Sequence, residues 1–146
     1  MRGAGLRRPA VAQDEAEALA HSGGKLVHDT AGSGSRAWLV DSATAKPGYA
    51  VYGPYAPLAA GRYVAAFRIK RIGAGSGTAA TLDTCTGGGK RVTGSVSVAV
   101  SDLPEDAYRW VAVPFDHPGG DVETRLLWTG ACALSLDMVS VWRIGD

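Results

Sequence analysis

Hydrophobic and polar positions alternate most cleanly over residues 60–69. Tyr63, Ala65, Phe67 and Ile69 fall on one face, and Val64, Ala66, Arg68 and Lys70 on the other. A period of two is that of a strand with one buried face. Gly61 supplies the turn that launches it, and the aromatic and β-branched residues suit a pleated surface. Short strands are predicted at 25–29 and 36–41, around the flexible Ala31-Gly-Ser-Gly-Ser35. A further strand over 49–55 is expected to end at Gly53-Pro54. Residues 78–85 alternate weakly. Val96, Val98 and Val100 alternate with Ser95, Ser97 and Ser101. Residues 108–115 are apolar on both faces and read as a central strand, and 122–129 and 133–144 read as a closing pair. Residues 13–20 are ambiguous: propensity favours helix, whereas alternation places Glu15 and Glu17 on one face and Ala16, Ala18 and Ala20 on the other. Roughly eight to ten short strands separated by Gly/Pro turns predict an all-β chain, a two-sheet antiparallel jelly-roll β-sandwich.

Near the C-terminus the apolar phase flips. Leu134 and Leu136 share one parity, Val139 and Val141 the other, with Asp137 between them. A β-bulge at Asp137 returns both pairs to the core. An acid lodged there requires a partner.

Composition narrows the function classes. The chain has 146 residues, one domain's length, and a net charge of +1, so nothing favours nucleic acid or an anionic membrane as partner. Its apolar runs fall short of the about 18 residues of a membrane helix. The chain contains no Asn, so Gly must take the strongly left-handed turn positions. The basic start is not followed by an apolar stretch, because Gln13, Asp14, Glu15 and Glu17 arrive too soon for a signal peptide. Residues 1–12 therefore read as a disordered arm or linker and 13–146 as the domain. Cys85 and Cys132 do not make a disulfide framework, and whether they meet is left open.

Catalytic signatures are missing. His21, His28 and His117 have no metal spacing, and no G-x-S-x-G elbow is present. The glycines at 73–77 precede a strand rather than the helix that a dinucleotide fingerprint needs. With no acid–base constellation, the chain reads as a non-enzyme. Glu123 and Arg125 share a face and are expected to form a charged pair, or cross-strand partners, on an exposed sheet surface. Trp110, Trp128 and Trp142 lie within strand patterns and read as core or rim packing, and Tyr63 and Tyr108 as core. Trp38, Tyr49 and Tyr52 flank predicted turns, with Arg36 and Asp41 nearby, and Tyr55 reads as a fourth flanking aromatic or a corner residue.

Several landmarks occur in a telling order: Glu15-Ala-Glu17, the Ser/Gly segment 31–35, Leu58-Ala-Ala-Gly-Arg-Tyr63, Glu123-Thr-Arg-Leu-Leu-Trp128 and Leu134-Ser-Leu-Asp-Met-Val139. Together they resemble the calcium-dependent jelly-roll carbohydrate-binding modules of the galactose-binding-like fold. The resemblance implies a structural Ca²⁺ held by Glu15, Glu17, Asp137 and a carbonyl near Ser35 or Arg36. Hard Ca²⁺ takes such oxygens, and acids at i and i+2 of a strand point the same way. It also implies a non-catalytic module that binds a polysaccharide, has an attached catalytic domain as partner, and works outside the cell. The sugar cleft would be lined by Trp38, Tyr49 and Tyr52, with Arg36 and Asp41 as polar contacts. Many of these modules complete the sugar site with a loop Asn, which this chain lacks. A second reading is therefore a structural or protein-interaction jelly roll, an accessory domain of a larger carbohydrate-active protein without a sugar site.

Overall fold

A computed structural model describes residues 10–146. The strands are β1 (Ala12–Glu15), β2 (Ala20–His21), β3 (Lys25–His28), β4 (Arg36–Val40), β5 (Gly48–Leu58), β6 (Gly61–Ile72), β7 (Thr78–Thr86), β8 (Arg91–Ala99), β9 (Arg109–His117), β10 (Gly120–Trp128) and β11 (Ala133–Gly145). They form two antiparallel sheets. The first runs β3-β4-β11-β6-β9, with β1 also paired to β11, and the second runs β2-β5-β10-β7-β8. The inner faces enclose the core. Tyr63, Ala65, Phe67 and Ile69 of β6 are all buried, as their alternation requires. They face Val51, Leu82, Val122 and Leu126 of the other sheet, within one apolar cluster. The fold is the expected all-β jelly-roll sandwich.

The register confirms the bulge. Leu136 pairs with Ile69 and Met138 with Arg68, which leaves Asp137 as the extra residue. Leu134, Leu136, Val139 and Val141 are all buried as a result. The bulge also marks a change of neighbour on the other side of β11. Residues 134–136 pair with β4 and residues 138–141 with β1. Asp137 thus faces a notch between the end of β1 and the start of β4.

Several expectations need correction. Strand β9 lies at the edge of its sheet, not at its centre. Its even positions face solvent, Trp110 is 49 % exposed, and Pro114, which lacks an N–H, suits an edge. Strand β5 does not stop at Gly53-Pro54. The β2 partner reaches only Val51 and Tyr52, so Pro54 forfeits no ladder bond on that side, and a bulge at Tyr55 preserves the pairing with β10. Strands β10 and β11 are not a pair but belong to opposite sheets. Residues 13–20 divide between both readings, with β1 running straight into a 3₁₀ turn at Ala16–Ala18. Cys85 and Cys132 are separate, buried free thiols. Of the residues read as core, Trp128 is buried and donates its Nε1–H to the Cys132 carbonyl at 2.8 Å, while Tyr108 lies in a polar network. Of the expected arm, residues 1–9 lie outside the described residues, and Val11 already donates its N–H to the Val141 carbonyl.

Candidate functional site

Two polar clusters stand out, one on each sheet. The first fills the notch at Asp137. The Asp137 carboxylate is 1 % exposed. Its Oδ2 accepts from Arg68 at 2.6 Å, and its Oδ1 accepts the backbone N–H of Ser33 at 2.8 Å. Arg68 also donates to the Ala31 carbonyl, and the Ser33 hydroxyl donates to Glu15 Oε1 at 2.6 Å. Residues 29–35 are thereby strapped across the notch. Asp29 anchors the strap's start through Lys70 Nζ at 2.5 Å and the Tyr108 hydroxyl at 2.8 Å. Burial pushes the Asp29 carboxyl upward, but hydrogen bonds from Lys70 and Tyr108 outweigh it and hold the group below its ordinary value.

The same notch collects the residues expected to hold calcium. Glu15 Oε2 and Glu17 Oε1 are buried there without a hydrogen-bond partner. A Cβ on Gly32 would stand 2.4 Å from the Arg36 carbonyl oxygen and 3.3 Å from Asp137 Oδ1, so those two oxygens converge beside a residue that must lack a side chain. Among the described residues no three Asp, Glu, His or Cys side chains gather into a metal-binding group. A cation here would therefore lean on backbone carbonyls as well as carboxylates. Two unpaired, buried carboxylate oxygens are nonetheless costly, and they fit a hard cation better than they fit the protein alone.

The second cluster lies on the outer face of the second sheet. Inward residues Val122, Leu126 and Trp128 of β10 are buried in the core, which turns Glu123 and Arg125 to the other side. Register places Tyr52 and Asp83 on either side of Arg125, and Pro54 and Cys85 on either side of Glu123. The Arg125 guanidinium binds both oxygens of Asp83 at 2.8 Å each and lies 4.2 Å from the centre of the Tyr49 ring. Of the two arrangements expected from sequence, Arg125 takes a cross-strand partner, Asp83 on β7, and does not pair with Glu123. The Asp83 hydrogen bonds raise the pKa of its guanidinium further.

Glu123 is 7 % exposed rather than set on an open surface. It accepts the Tyr55 hydroxyl at 3.0 Å and the Cys85 thiol at 3.4 Å. Burial first, and then the carboxylate, push the Cys85 thiol up to about 12 and the Tyr55 phenol above its usual range, so both stay protonated donors. Tyr49, Tyr52, Tyr55, Glu123 and Arg125 enclose a hollow of about 210 Å³. Tyr55 enters it from the bulge with φ of 65°, a left-handed conformation that costs a non-glycine residue on the order of 1 kcal/mol.

The sequence-predicted residues divide between places. Tyr49 and Tyr52 meet in this hollow. Trp38 is elsewhere: its ring stacks on His21 at 3.5 Å, and its Nε1–H donates to the Gly23 carbonyl. Asp41 builds a turn, accepting the Thr44 N–H and hydroxyl. That turn walls a wider, open hollow of about 500 Å³ that reaches Ser22, Lys46 and Tyr49. Arg36 is exposed and stands 3.8 Å from Glu17. Sequence reasoning missed Tyr55, Glu123 and Arg125 as one group. The signal was the outward parity of 123 and 125 on β10, which identifies the face but not the partners.

Comparisons with known proteins bear on the fold. No family model matches the chain, and no curated protein matches it. Solved structures do. A C-terminal CBM6 module of a marine laminarinase from Zobellia galactanivorans superposes with a TM-score of 0.64 at 12 % identity, covering 90 % of this chain and 98 % of that one. A carbohydrate-binding module from Cellvibrio mixtus lichenase 5A, solved with cellotriose, gives 0.64 at 15 % identity, covering 92 % and 98 %. The fold is that of a carbohydrate-binding module. An exo-β-1,3-galactanase from Phanerochaete chrysosporium matches with a TM-score of 0.65 at 18 % identity over 92 % of this chain but only 30 % of its own. In that enzyme the matched fold is one part of a longer chain.

Proposed function

We propose that this chain is a non-catalytic carbohydrate-binding module that takes a sugar on the outer face of its second sheet. The observation that carries this reading is the hollow between Tyr49, Tyr52 and Tyr55, floored by Glu123 and Arg125. Tyrosine faces pack the C–H surface of a sugar ring, while fixed polar groups meet its hydroxyls. Tyr49 and Tyr55 are 39 % and 45 % exposed, available to a ligand from solvent. The residues expected from the resemblance are thus revised: Tyr49 and Tyr52 remain, Tyr55, Glu123 and Arg125 join them, and Trp38, Arg36 and Asp41 are left to structural work. The partner is a polysaccharide, with an attached catalytic domain in the manner of the galactanase match.

A structural Ca²⁺ belongs to the same proposal. Glu15 Oε2 and Glu17 Oε1 would supply unshared ligand atoms, with the Arg36 carbonyl and the remaining lone pair of Asp137 Oδ1 beside them. The ion would supply positive charge to a notch that joins the first strand to the last. A glycan array probed with and without Ca²⁺ tests the function. Binding to a defined glycan class, lost in Tyr52→Ala, is expected, and a blank array under both conditions overturns it. One observation favours the accessory-domain reading. Cross-strand register aligns Pro114, Val64 and Trp142 on the outer face of the first sheet, with Trp110 on the same face. Such a surface suits protein contact, and a blank array would favour it.

A further inference from the structure

The charges around the hollow do not balance. Asp83 and Glu123 are both acids, and Arg125 spends its Nε and one Nη on Asp83 while its plane lies on Tyr49. No ion pair among the described residues reaches Glu123. That carboxylate is nine-tenths buried, accepts only from an uncharged phenol and an uncharged thiol, and borders the hollow. A buried carboxylate is ordinarily matched by a cation. Here the place for one is open to solvent and walled by three tyrosine rings.

Resting on the carbohydrate reading, we infer that this hollow selects a glycan bearing a free amino group. A protonated amine on a pyranose ring donates to Glu123 through a charge-assisted bond. The tyrosine faces attract the same cation through their ring quadrupoles. An acetylated amine keeps the ring but loses the charge. A uronate or sulfate meets Glu123 and Asp83 as like charges, which a specific site uses to reject it. The small volume suits a single ring rather than a long cleft, so recognition would fall on one amino sugar within the polymer.

The test uses the whole chain and three oligosaccharide series of equal length: β-1,4-linked glucosamine, its N-acetylated form, and the unsubstituted glucose series. Isothermal titration should show the amine series binding on the order of tenfold tighter than either neutral series, the scale of one charge-assisted contact. Glu123→Gln should bring the three series to within about twofold of one another while leaving the circular dichroism spectrum unchanged. The wild-type ranking stands by itself if that variant fails to fold. Equal or weaker binding of the amine series overturns the inference, as does a preference that survives Glu123→Gln. If neutral glycans on an array bind and the amine gains nothing, only the inference falls. If no glycan of any kind binds, the carbohydrate reading falls with it.

Discussion

Asp137 and Glu123 are both carboxylates withdrawn from solvent, one on each sheet, and their surroundings differ in kind. Asp137 meets a guanidinium and a backbone N–H, and a strap of loop closes over it. Glu123 meets a phenol and a thiol, and a hollow opens beside it. Both oxygens of Asp137 are matched from within the chain, and losing either Asp137 or Arg68 leaves a charge without its counterpart. The second is incomplete until something arrives from outside. Burial alone therefore does not separate a structural acid from a binding acid; the partners do.

The largest effect expected from this contrast is on stability. Asp137→Ala strands the Arg68 guanidinium and releases the strap. Breaking a buried pair costs about 3–5 kcal/mol, and the 26 % exposure of the Arg68 side chain reduces this to about 2–3 kcal/mol. Calorimetry should show the melting temperature falling on the order of 10 °C. Glu123→Gln should cost under about 1 kcal/mol, since its neutral donors can still bond an amide. Equal losses in the two variants would break the comparison.

Next in size is the exchange of binding for stability between aromatics. Tyr52→Ala should weaken glycan binding by about tenfold or more with the fold retained. Trp38→Ala should do the reverse, losing about 1–2 kcal/mol of stability with the His21 stack while leaving affinity alone. Affinity measured for both variants checks the assignment, and a binding loss confined to Trp38→Ala would move the site to the loop end.

Calcium removal comes third. An ion that binds only the folded state stabilises it by about 1 kcal/mol at roughly five times its Kd, so EDTA should lower the melting temperature by a few degrees. Glu15→Gln with Glu17→Gln should erase that response. A calcium titration without heat, and a melting curve indifferent to EDTA, would leave the notch to Arg68 alone.

The smallest effect is local. The Asp29 carboxyl is held below its ordinary value of 3.8. Its stabilising contribution is therefore full above that value and is lost as pH falls through the lower, folded-state one. Amide exchange across 29–35 should accelerate only in that acid range, ahead of the hollow on the second sheet. Simultaneous loosening of both regions would show that they do not act separately.

Much of this architecture was legible because period-two patterning is a local property. Strand β6 and the bulge at Asp137 follow from parity alone. What parity cannot show is which strand lies alongside. Residues 108–115 look apolar on both faces, yet β9 is an edge, because Trp110 and Pro114 record an outer surface rather than a second core. Glu123 and Arg125 were correctly placed on one face, but their partners Asp83, Tyr55 and Cys85 come from β7 and β5, and sheet order brought them together. Trp38 shows the converse: a loop-flanking aromatic invites a ligand in sequence, while its real neighbour, His21, sits on a strand of two residues. The calcium set was read from resemblance and stands as a proposal, motivated by the orphaned Glu15 and Glu17 oxygens.

The bulge in β11 has a consequence for how the chain finds its register. In a strand of uniform alternation, sliding by two residues preserves the buried face and offers a near-degenerate misalignment. Here the strand's two halves carry opposite parity, and its neighbour changes from β4 to β1 at the point of reversal. A slid β11 would bring the kink against regular backbone, carry a carboxylate away from Arg68, and force an apolar pair outward. Asp137 thus works as a locating pin: the longest of the described strands has a single seating and carries its own alignment mark.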